Sequence, residues 1–167
     1  MVTKKHKYRD PALQVDGCPV PVRGAVKYLG VQLDTRLSFG EHVASVSSGA
    51  SKVASAIGRL MPNVGGPAQC KRSLLMSVVH SRLRYGAAVW ADEVRHVAKY
   101  SNLMLQSQRC AALRVARCFR SVSDMAALVL ARMPPATLQA TARKRATALK
   151  SEGAVLTARQ KTEEMIV

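Results

Sequence analysis

The sequence predicts an α+β fold that is mainly α, with a short N-terminal antiparallel hairpin or sheet followed by a bundle of four to six helices. Apolar residues alternate with period two between residues 13 and 33 and recur every three or four residues after residue 40. Proline and glycine pairs such as Pro134-Pro135 interrupt the second pattern. With 167 residues, of which 48% are hydrophobic, the chain can bury a core of its own.

The N-terminal strands are predicted on either side of turn signals. Leu13 and Val15 precede Asp16-Gly17, and a second apolar run extends from Val26 to Leu33. Asp-Gly between apolar runs is typical of a tight hairpin, because glycine accepts the positive φ that such a turn needs. Two intervening prolines suit an edge strand better than a central one. We expect a small antiparallel sheet of two or three strands.

The first helix is predicted after Gly40 from an apolar seam with spacings of three and four. Lys52 and Arg59 lie on the opposite side of this helix, so we expect them to be exposed. A strand between residues 43 and 60 would contradict this interpretation. The residues of the seam that we expect to be buried are Val43, Val46, Ala50, Val53, Ile57 and Leu60.

Four further helices are predicted along the chain, at residues 68–90, 94–119, 123–133 and 136–150. Gly86 weakens the first of them, Ser123 is a plausible N-cap, and Pro134-Pro135 ends the helix before it. Segment 155–167 is helix-like in composition and has no C-cap, so we expect the chain to be cut there. The residues of the 68–90 helix that we expect to face inward are Leu74, Leu75, Val78, Val79, Leu83 and Val89.

The charge of the chain predicts a polyanionic partner. Lys plus Arg number 26 against 10 for Asp plus Glu, which gives a net charge of +16 and a pI near 10.5. Seventeen basic residues but three acids lie between His42 and Ser151. Nucleic acid is the leading candidate partner and an anionic membrane the second. Since aromatic residues make up only 4% of the chain, contact with the backbone of a duplex is favoured over base stacking.

Residues able to perform chemistry by themselves are few. The four cysteines form no Cys-x-x-Cys pair, so we expect reduced thiols packed as small apolar residues and no metal site. The four histidines suggest no catalytic triad, and Asp92-Glu93 fits a helix start better than a two-metal site. Gly65-Gly66 is interpreted as a plain turn between helices. The sequence contains neither a signal peptide nor an apolar run long enough to span a membrane.

Several blocks of the sequence, in this order and spacing, carry a family resemblance. The chain resembles the region downstream of the polymerase active site in non-LTR (LINE-type) retrotransposon reverse transcriptases, and looks most like the arthropod elements that insert into ribosomal RNA genes. The blocks are Lys27-Tyr-Leu-Gly-Val-Gln-Leu-Asp34, Leu37-Ser-Phe39, His42-Val43, Leu60-Met-Pro-Asn-Val-Gly-Gly66, Tyr85-Gly-Ala-Ala-Val-Trp90, Gln108-Arg109, Phe119-Arg-Ser-Val-Ser123 and Val129-Leu-Ala-Arg-Met-Pro-Pro135.

The resemblance implies a division of the chain. Residues 1–34 would be the last strands of the polymerase palm, with a primer-grip hairpin at Tyr28, Leu29 and Gly30. Residues 35–150 would be the helical thumb and connection, and 151–167 a truncated helical tail. Arg132 departs from the family pattern, since relatives tend to carry glycine before the hydrophobic-Pro-Pro stop.

The resemblance also implies what the chain lacks. In the family, aspartates of a Tyr-x-Asp-Asp motif and an earlier strand hold two Mg²⁺ ions, and no Asp-Asp pair occurs in this sequence. We therefore expect no catalytic residues, no metal and no cofactor in this chain, although the full polymerase would need Mg²⁺. The expected partners are an RNA/DNA primer-template duplex and the missing palm and fingers of the same polyprotein, not a membrane. The expected location is intracellular, and nuclear as part of the full element.

The duplex would be gripped through its phosphates, because arginine forks fit phosphate oxygens and sixteen of the 26 basic residues are arginine. The alternative is a free-standing basic helical module that binds nucleic acid or protein and has no polymerase ancestry. An in-frame Tyr-x-Asp-Asp motif in the DNA upstream of Met1 would discriminate the two. The candidate phosphate contacts are Lys52, Arg59, Lys71, Arg72, Arg82 and Arg84.

Overall fold

Within the part of the chain that the structure describes, two hairpins precede six helices, which confirms a mainly helical α+β fold. The computed structural model describes residues 13–20, 23–62, 64 and 66–151. The predicted helical segment at 155–167 lies outside them. The strands are β1 (Leu13–Val15), β2 (Cys18–Val20), β3 (Ala25–Tyr28) and β4 (Val31–Asp34). The helices are α1 (Gly40–Arg59), α2 (Gln69–Leu83), α3 (Ala87–Arg95), α4 (Ala98–Ala116), α5 (Asp124–Leu130) and α6 (Ala136–Ser151).

The strands form two separate antiparallel hairpins rather than one sheet of two or three strands. β1 pairs with β2 and β3 pairs with β4. Each turn has two residues with positive φ, Asp16 and Gly17 in the first hairpin and Leu29 and Gly30 in the second. This is the backbone that the twist of a two-residue hairpin requires. Pro19 in β2 has no N–H to offer a third strand, which limits the first hairpin to two.

Helix α1 has the predicted extent, but its buried face is rotated from the predicted seam. Val43 and Ala50 are buried as expected, whereas Val46, Val53 and Ile57 are half-buried and Leu60 is 73% exposed. The prediction for Leu60 is wrong, because the most deeply buried positions are small residues that let α4 approach the backbone of α1. These positions include Ser47, Ala50, Ala54 and Gly58.

The predicted 68–90 helix is two helices, α2 and α3. Gly86 separates them with φ +66°, and a Cβ there would lie 2.7 Å from Cγ2 of the buried Val31. The break therefore allows β4 to pack against the corner. Within α2, the buried residues are Arg72, Met76, Val79 and Leu83. The inward placement of Leu74, Leu75, Val78 and Val89 was wrong, since all four are exposed.

The later helices begin and end at recognisable signals. The predicted 94–119 helix starts only at Ala98, since the chain bends at His96 and Val97 after α3. Helix α5 ends in a Schellman motif, with the Arg132 N–H donating to Val129 and the Met133 N–H to Leu128. Arg132 adopts φ +55° there. That is the left-handed conformation which glycine adopts without strain, and Arg132 is where the sequence departs from the pattern of the polymerases that it resembles.

A buried glutamine joins α4 to the start of α6. The Gln108 side chain is fully buried, donates to the Pro134 carbonyl at 2.7 Å and accepts from the Ala136 N–H at 2.7 Å. The Gln139 amide donates to the same carbonyl. The core formed around these contacts includes Trp90, Met104 and Leu128. None of the helices in the described ranges has the length and apolar content of a membrane span.

Candidate nucleic-acid interface

The outer face of α1 is basic, as its sequence pattern predicts. Lys52 and Arg59 are exposed, seven residues apart, and lie on the side away from the core. Three serines of the same helix, Ser48, Ser51 and Ser55, line an open groove of about 460 Å³ with them. No carboxylate occurs in the sequence from His42 to Ala91, so nearby acids in the sequence do not neutralise this face.

Arg82 extends this face from α2. A Cβ at Gly49 of α1 would lie 2.6 Å from Nε and from one terminal nitrogen of Arg82, so the guanidinium lies directly over the glycine. Lys71, in the first turn of α2, is exposed and lies on the same side of this helix as Arg82. We call Lys52, Arg59, Lys71 and Arg82 together the basic face.

Arg84 does not belong to the basic face. It follows Arg82 by two residues, so its side chain leaves the chain on the opposite flank of α2. Its Nε donates to the His80 carbonyl at 3.2 Å, and burial together with Arg143 of α6 lowers the pKa of Arg84. The structure thus separates two candidates that the sequence placed together.

Arg72 is a structural residue. Its side chain is fully buried, and Nε donates to the Pro67 carbonyl at 2.8 Å. The terminal nitrogens donate to the carbonyls of Arg114 at 3.0 Å, Met61 at 3.5 Å, and Pro62. The sequence predicted Arg72 to contact phosphate, and the structure corrects this. A guanidinium enclosed by four carbonyls is not free to bind a ligand. Burial, with Arg117 and Arg114 nearby, lowers the pKa of Arg72.

The predicted primer-grip residues form the turn of the second hairpin, which is anchored to the α2–α3 corner. Tyr28 is 63% and Leu29 75% exposed. The Tyr85 hydroxyl donates to the Leu29 carbonyl at 2.9 Å, and a Cβ at Gly30 would lie 2.8 Å from the Tyr85 ring. Because Tyr85 follows Arg82 by three residues, the turn lies beside the end of α2 that carries Arg82.

Two arginines of the α4 region bind loop carbonyls and so hold neighbouring loops in place, which the sequence did not predict. Arg109 pairs with Asp124 at 2.6 Å and donates to the carbonyls of Val122 and Arg120. Arg117 donates to the carbonyls of Pro67 and Gly66. Part of the large positive charge is therefore used to hold loops and is less available for a partner.

The acidic pair Asp92-Glu93 does not lie where the sequence predicted it. Asp92 and Glu93 lie in the second half of α3, not at a helix start, and Asp92 forms an ion pair with Lys144 of α6. The hydrogen bond from Lys144 lowers the pKa of Asp92. Its function is thus to join two helices at the surface.

The thiols also differ in part from expectation. All four cysteines are free, but Cys18, Cys70 and Cys110 are exposed rather than packed as apolar residues. The described residues contain no cluster of three or more metal-ligating side chains.

Two histidines lie inside or at the edge of the fold, since His42 is buried and His80 is half-buried. His42 accepts from the Gln32 N–H at 3.3 Å through Nδ1, and its ring centroid lies 5.9 Å from that of Trp90. Burial lowers the pKa of His42, and the Tyr85 carbonyl partly opposes the shift. Burial and the adjacent Arg84 lower the pKa of His80, whose Nε2 lies 3.3 Å from the Gln108 amide nitrogen. Burial thus disfavours the charged form of both rings in the folded chain.

Comparison with known proteins gives one informative match. The chain is 28% identical over 141 residues to a 115 kDa protein in the type-1 retrotransposable element R1DM of Drosophila melanogaster. The match covers 84% of this chain and 14% of that relative, so the chain spans about one seventh of its length. No family model matches the chain, and no solved structure does so at a significant level. The similarity supports a retrotransposon origin.

Proposed function

We propose that this chain is the part of a retrotransposon reverse transcriptase that grips the primer-template duplex. The observation that carries the proposal is the basic face, in which Lys52, Arg59 and Arg82 lie exposed on two packed helices. Cations fixed on rigid helices can contact successive phosphates without reading base sequence, as a polymerase needs. The duplex backbone, not the bases, is therefore the proposed ligand.

The hairpin turn supports the same proposal. Tyr28 and Leu29 are exposed, while Tyr85, which follows the end of α2 that carries Arg82, fixes the backbone of the turn. An anchored turn next to a row of cations is suited to holding the end of a strand whose backbone those cations bind. The proposed division into palm strands at 1–34, a thumb and connection at 35–150 and a tail at 151–167 follows the family resemblance.

The chain is proposed to be catalytically incomplete. The sequence contains no Asp-Asp pair, so the carboxylates that would hold two Mg²⁺ ions must come from the rest of the polymerase. The palm and fingers of the same polyprotein are its proposed protein partners, and the nucleus its place of action. Incubated with a primed RNA template, Mg²⁺ and nucleotides, the chain should extend no primer above a no-protein control.

Binding tests the proposal. Fluorescence anisotropy would compare an RNA–DNA duplex with anionic vesicles at matched negative charge, using the wild type and Lys52→Gln/Arg59→Gln. The control is Arg95→Gln/Lys99→Gln, which removes the same charge from exposed positions at the α3–α4 corner. We expect duplex binding that the first double variant weakens about tenfold more than the control. Preference for vesicles, or equal loss in both variants, would contradict the proposal.

A further inference from the structure

A second basic surface lies between the C-terminal halves of α1 and α4. It is a cleft of about 520 Å³, within the roughly 300–1,000 Å³ range of ligand pockets. Its lining includes Arg59, Arg114, Phe119 and Arg120. We call it the arginine cleft. It brings Arg59 of α1 together with arginines more than fifty residues away in sequence.

The arginines of the cleft differ in how they are engaged. Arg109, also at the lining, is committed to Asp124 and to two carbonyls. Arg59, Arg114 and Arg120 have no acidic partner among the residues that the structure describes. Three uncompensated guanidinium groups at one cleft favour an anion with several acceptor oxygens, and a phosphodiester has this chemistry.

Arg114 is held in position before any ligand arrives. Its side chain is half-buried and runs along α1 at Gly58, where a Cβ would lie 3.2 Å from Nε and 3.5 Å from Cγ. The absence of a side chain at Gly58 thus makes room for the arginine. A side chain that is already ordered loses less conformational entropy when it binds.

Phe119 gives the cleft a second kind of contact. It is 84% exposed and directly precedes Arg120. An exposed aromatic ring beside phosphate-binding cations is the arrangement that proteins use to stack an unpaired base. Bases in a duplex present no free face for such stacking. The ring therefore favours a single strand over a duplex at this position.

We infer that the arginine cleft binds a single-stranded segment of nucleic acid, with a phosphodiester against Arg59, Arg114 and Arg120 and one unpaired base stacked on Phe119. This goes beyond the proposed duplex grip, because it assigns a second ligand to a second site. Arg59 borders both surfaces, so a strand that leaves the duplex on the basic face can continue into the cleft.

The test compares three ligands with equal numbers of phosphates by fluorescence anisotropy on the full chain. They are a twelve-nucleotide oligouridine, an abasic oligomer and a short RNA–DNA duplex. Phe119→Ala should weaken oligouridine binding about tenfold and leave duplex binding within about twofold. The abasic oligomer should bind the wild type and Phe119→Ala equally. Arg120→Gln should weaken oligouridine more than Arg95→Gln, an equal loss of charge elsewhere.

A tryptophan at the same position supplies an independent readout. Phe119→Trp should retain oligouridine affinity, and its fluorescence should be quenched on binding. The native Trp90 is 1% exposed and should contribute little to that change. Because Phe119 is so exposed, neither substitution should affect folding, which circular dichroism checks.

The outcomes separate the two proposals. Equal loss of oligouridine and duplex binding in Phe119→Ala, no loss at all, or wild-type binding of the abasic oligomer as tight as that of oligouridine would overturn the cleft inference. Duplex binding without oligouridine binding would also overturn it and leave the proposed function intact. Oligouridine binding alone would support the cleft and contradict the duplex grip. Binding of neither ligand would refute both.

Discussion

The hydroxyl of Tyr85 lies 2.9 Å from the carbonyl oxygen of Leu29 and donates a hydrogen bond to it across fifty-six positions of sequence. This contact joins the turn of the second hairpin to the corner between α2 and α3. The same corner buries Trp90, whose Nε1 donates to the Tyr85 carbonyl at 2.8 Å. Tyr85 therefore helps to fix the position of the exposed Tyr28 and Leu29.

Gly30→Ala should loosen this hairpin. Gly30 has φ +82° and its missing Cβ would lie 2.8 Å from the Tyr85 ring, so alanine there costs about 2 kcal/mol of local stability. Hydrogen exchange of the Gln32 amide, which donates to His42, should accelerate by about thirtyfold. Gly24→Ala is the matched control, since a Cβ there meets nothing within 4 Å. Equal exchange rates in the two variants would show that the turn is not fixed by Tyr85.

Arg72→Met should unfold the chain more readily. Four carbonyls would lose their donor in the interior, and we expect a loss of about 3–5 kcal/mol in the free energy of unfolding measured in urea. Lys71→Met removes the same charge from the adjacent exposed position and should cost about 0.5 kcal/mol or less. If Arg72→Met instead kept full stability, the structural function of Arg72 would be refuted.

Stability should fall as the pH drops below about 6.5. Burial lowers the pKa of His42 and of His80, so the unfolded chain takes up protons at a pH where the folded chain does not. The stabilisation is complete above the unfolded pKa of about 6.5 and is lost as the pH falls from there toward the folded pKa. Urea unfolding at pH 7.5, 6.5 and 5.5 measures the trend.

The control for this pH dependence is His80→Gln, whose side-chain oxygen can still accept from Gln108. It should have a flatter profile than the wild type between pH 5.5 and 7.5. Asp34 stays ionised there: burial alone would raise its pKa, but hydrogen bonds from Phe39 and Ser38 lower it. Stability that rises on acidification would contradict the lowered pKa values of His42 and His80.

The thiols should be free and mostly reactive. A thiol reagent added to the folded chain should modify Cys18, Cys70 and Cys110 rapidly, because all three are exposed. Cys118 is half-buried and should react more slowly until urea is added. Intact mass under non-reducing conditions should show no loss of hydrogens. A uniform loss of two hydrogens, or no fast-reacting thiol, would contradict the structure.

Local features of the fold followed from the sequence. Helical periodicity predicted α1 because spacing along a single helix is a local property, and Asp16-Gly17 predicted the first turn for the same reason. Gly86 is a weak point in the predicted helix at 68–90. The break at Gly86 also depends on Val31, which packs against it from β4, and a pattern within the helix cannot show this contact. Similarly, the burial of Ser47 and Gly58 depends on α4, and the hydrophobicity of α1 alone could not indicate it.

The candidate site was harder to predict from the sequence than the fold. Net charge predicted a basic surface, but charge alone does not distinguish Arg82, whose guanidinium lies over Gly49 of α1, from Arg72, which four carbonyls enclose. The carbonyls that bind Arg72 come from a loop and from the end of α4. The grouping of Arg59 with Arg114 and Phe119 likewise arises only when α1 and α4 pack. The small residues at one face of α1 were the available signal for that packing.

The salt dependence of duplex binding tests the central claim most directly. We expect four phosphate contacts from the exposed cations of α1 and α2, which are Lys52, Arg59, Lys71 and Arg82. A plot of the logarithm of the duplex association constant against the logarithm of the salt concentration should then have a slope of about −3.6, on the scale of B-form DNA. Lys52→Gln/Arg59→Gln should reduce the slope to about −1.8, because two phosphate contacts are lost. Arg95→Gln/Lys99→Gln should leave the slope unchanged. An unchanged slope in the first double variant would contradict a duplex grip by the basic face.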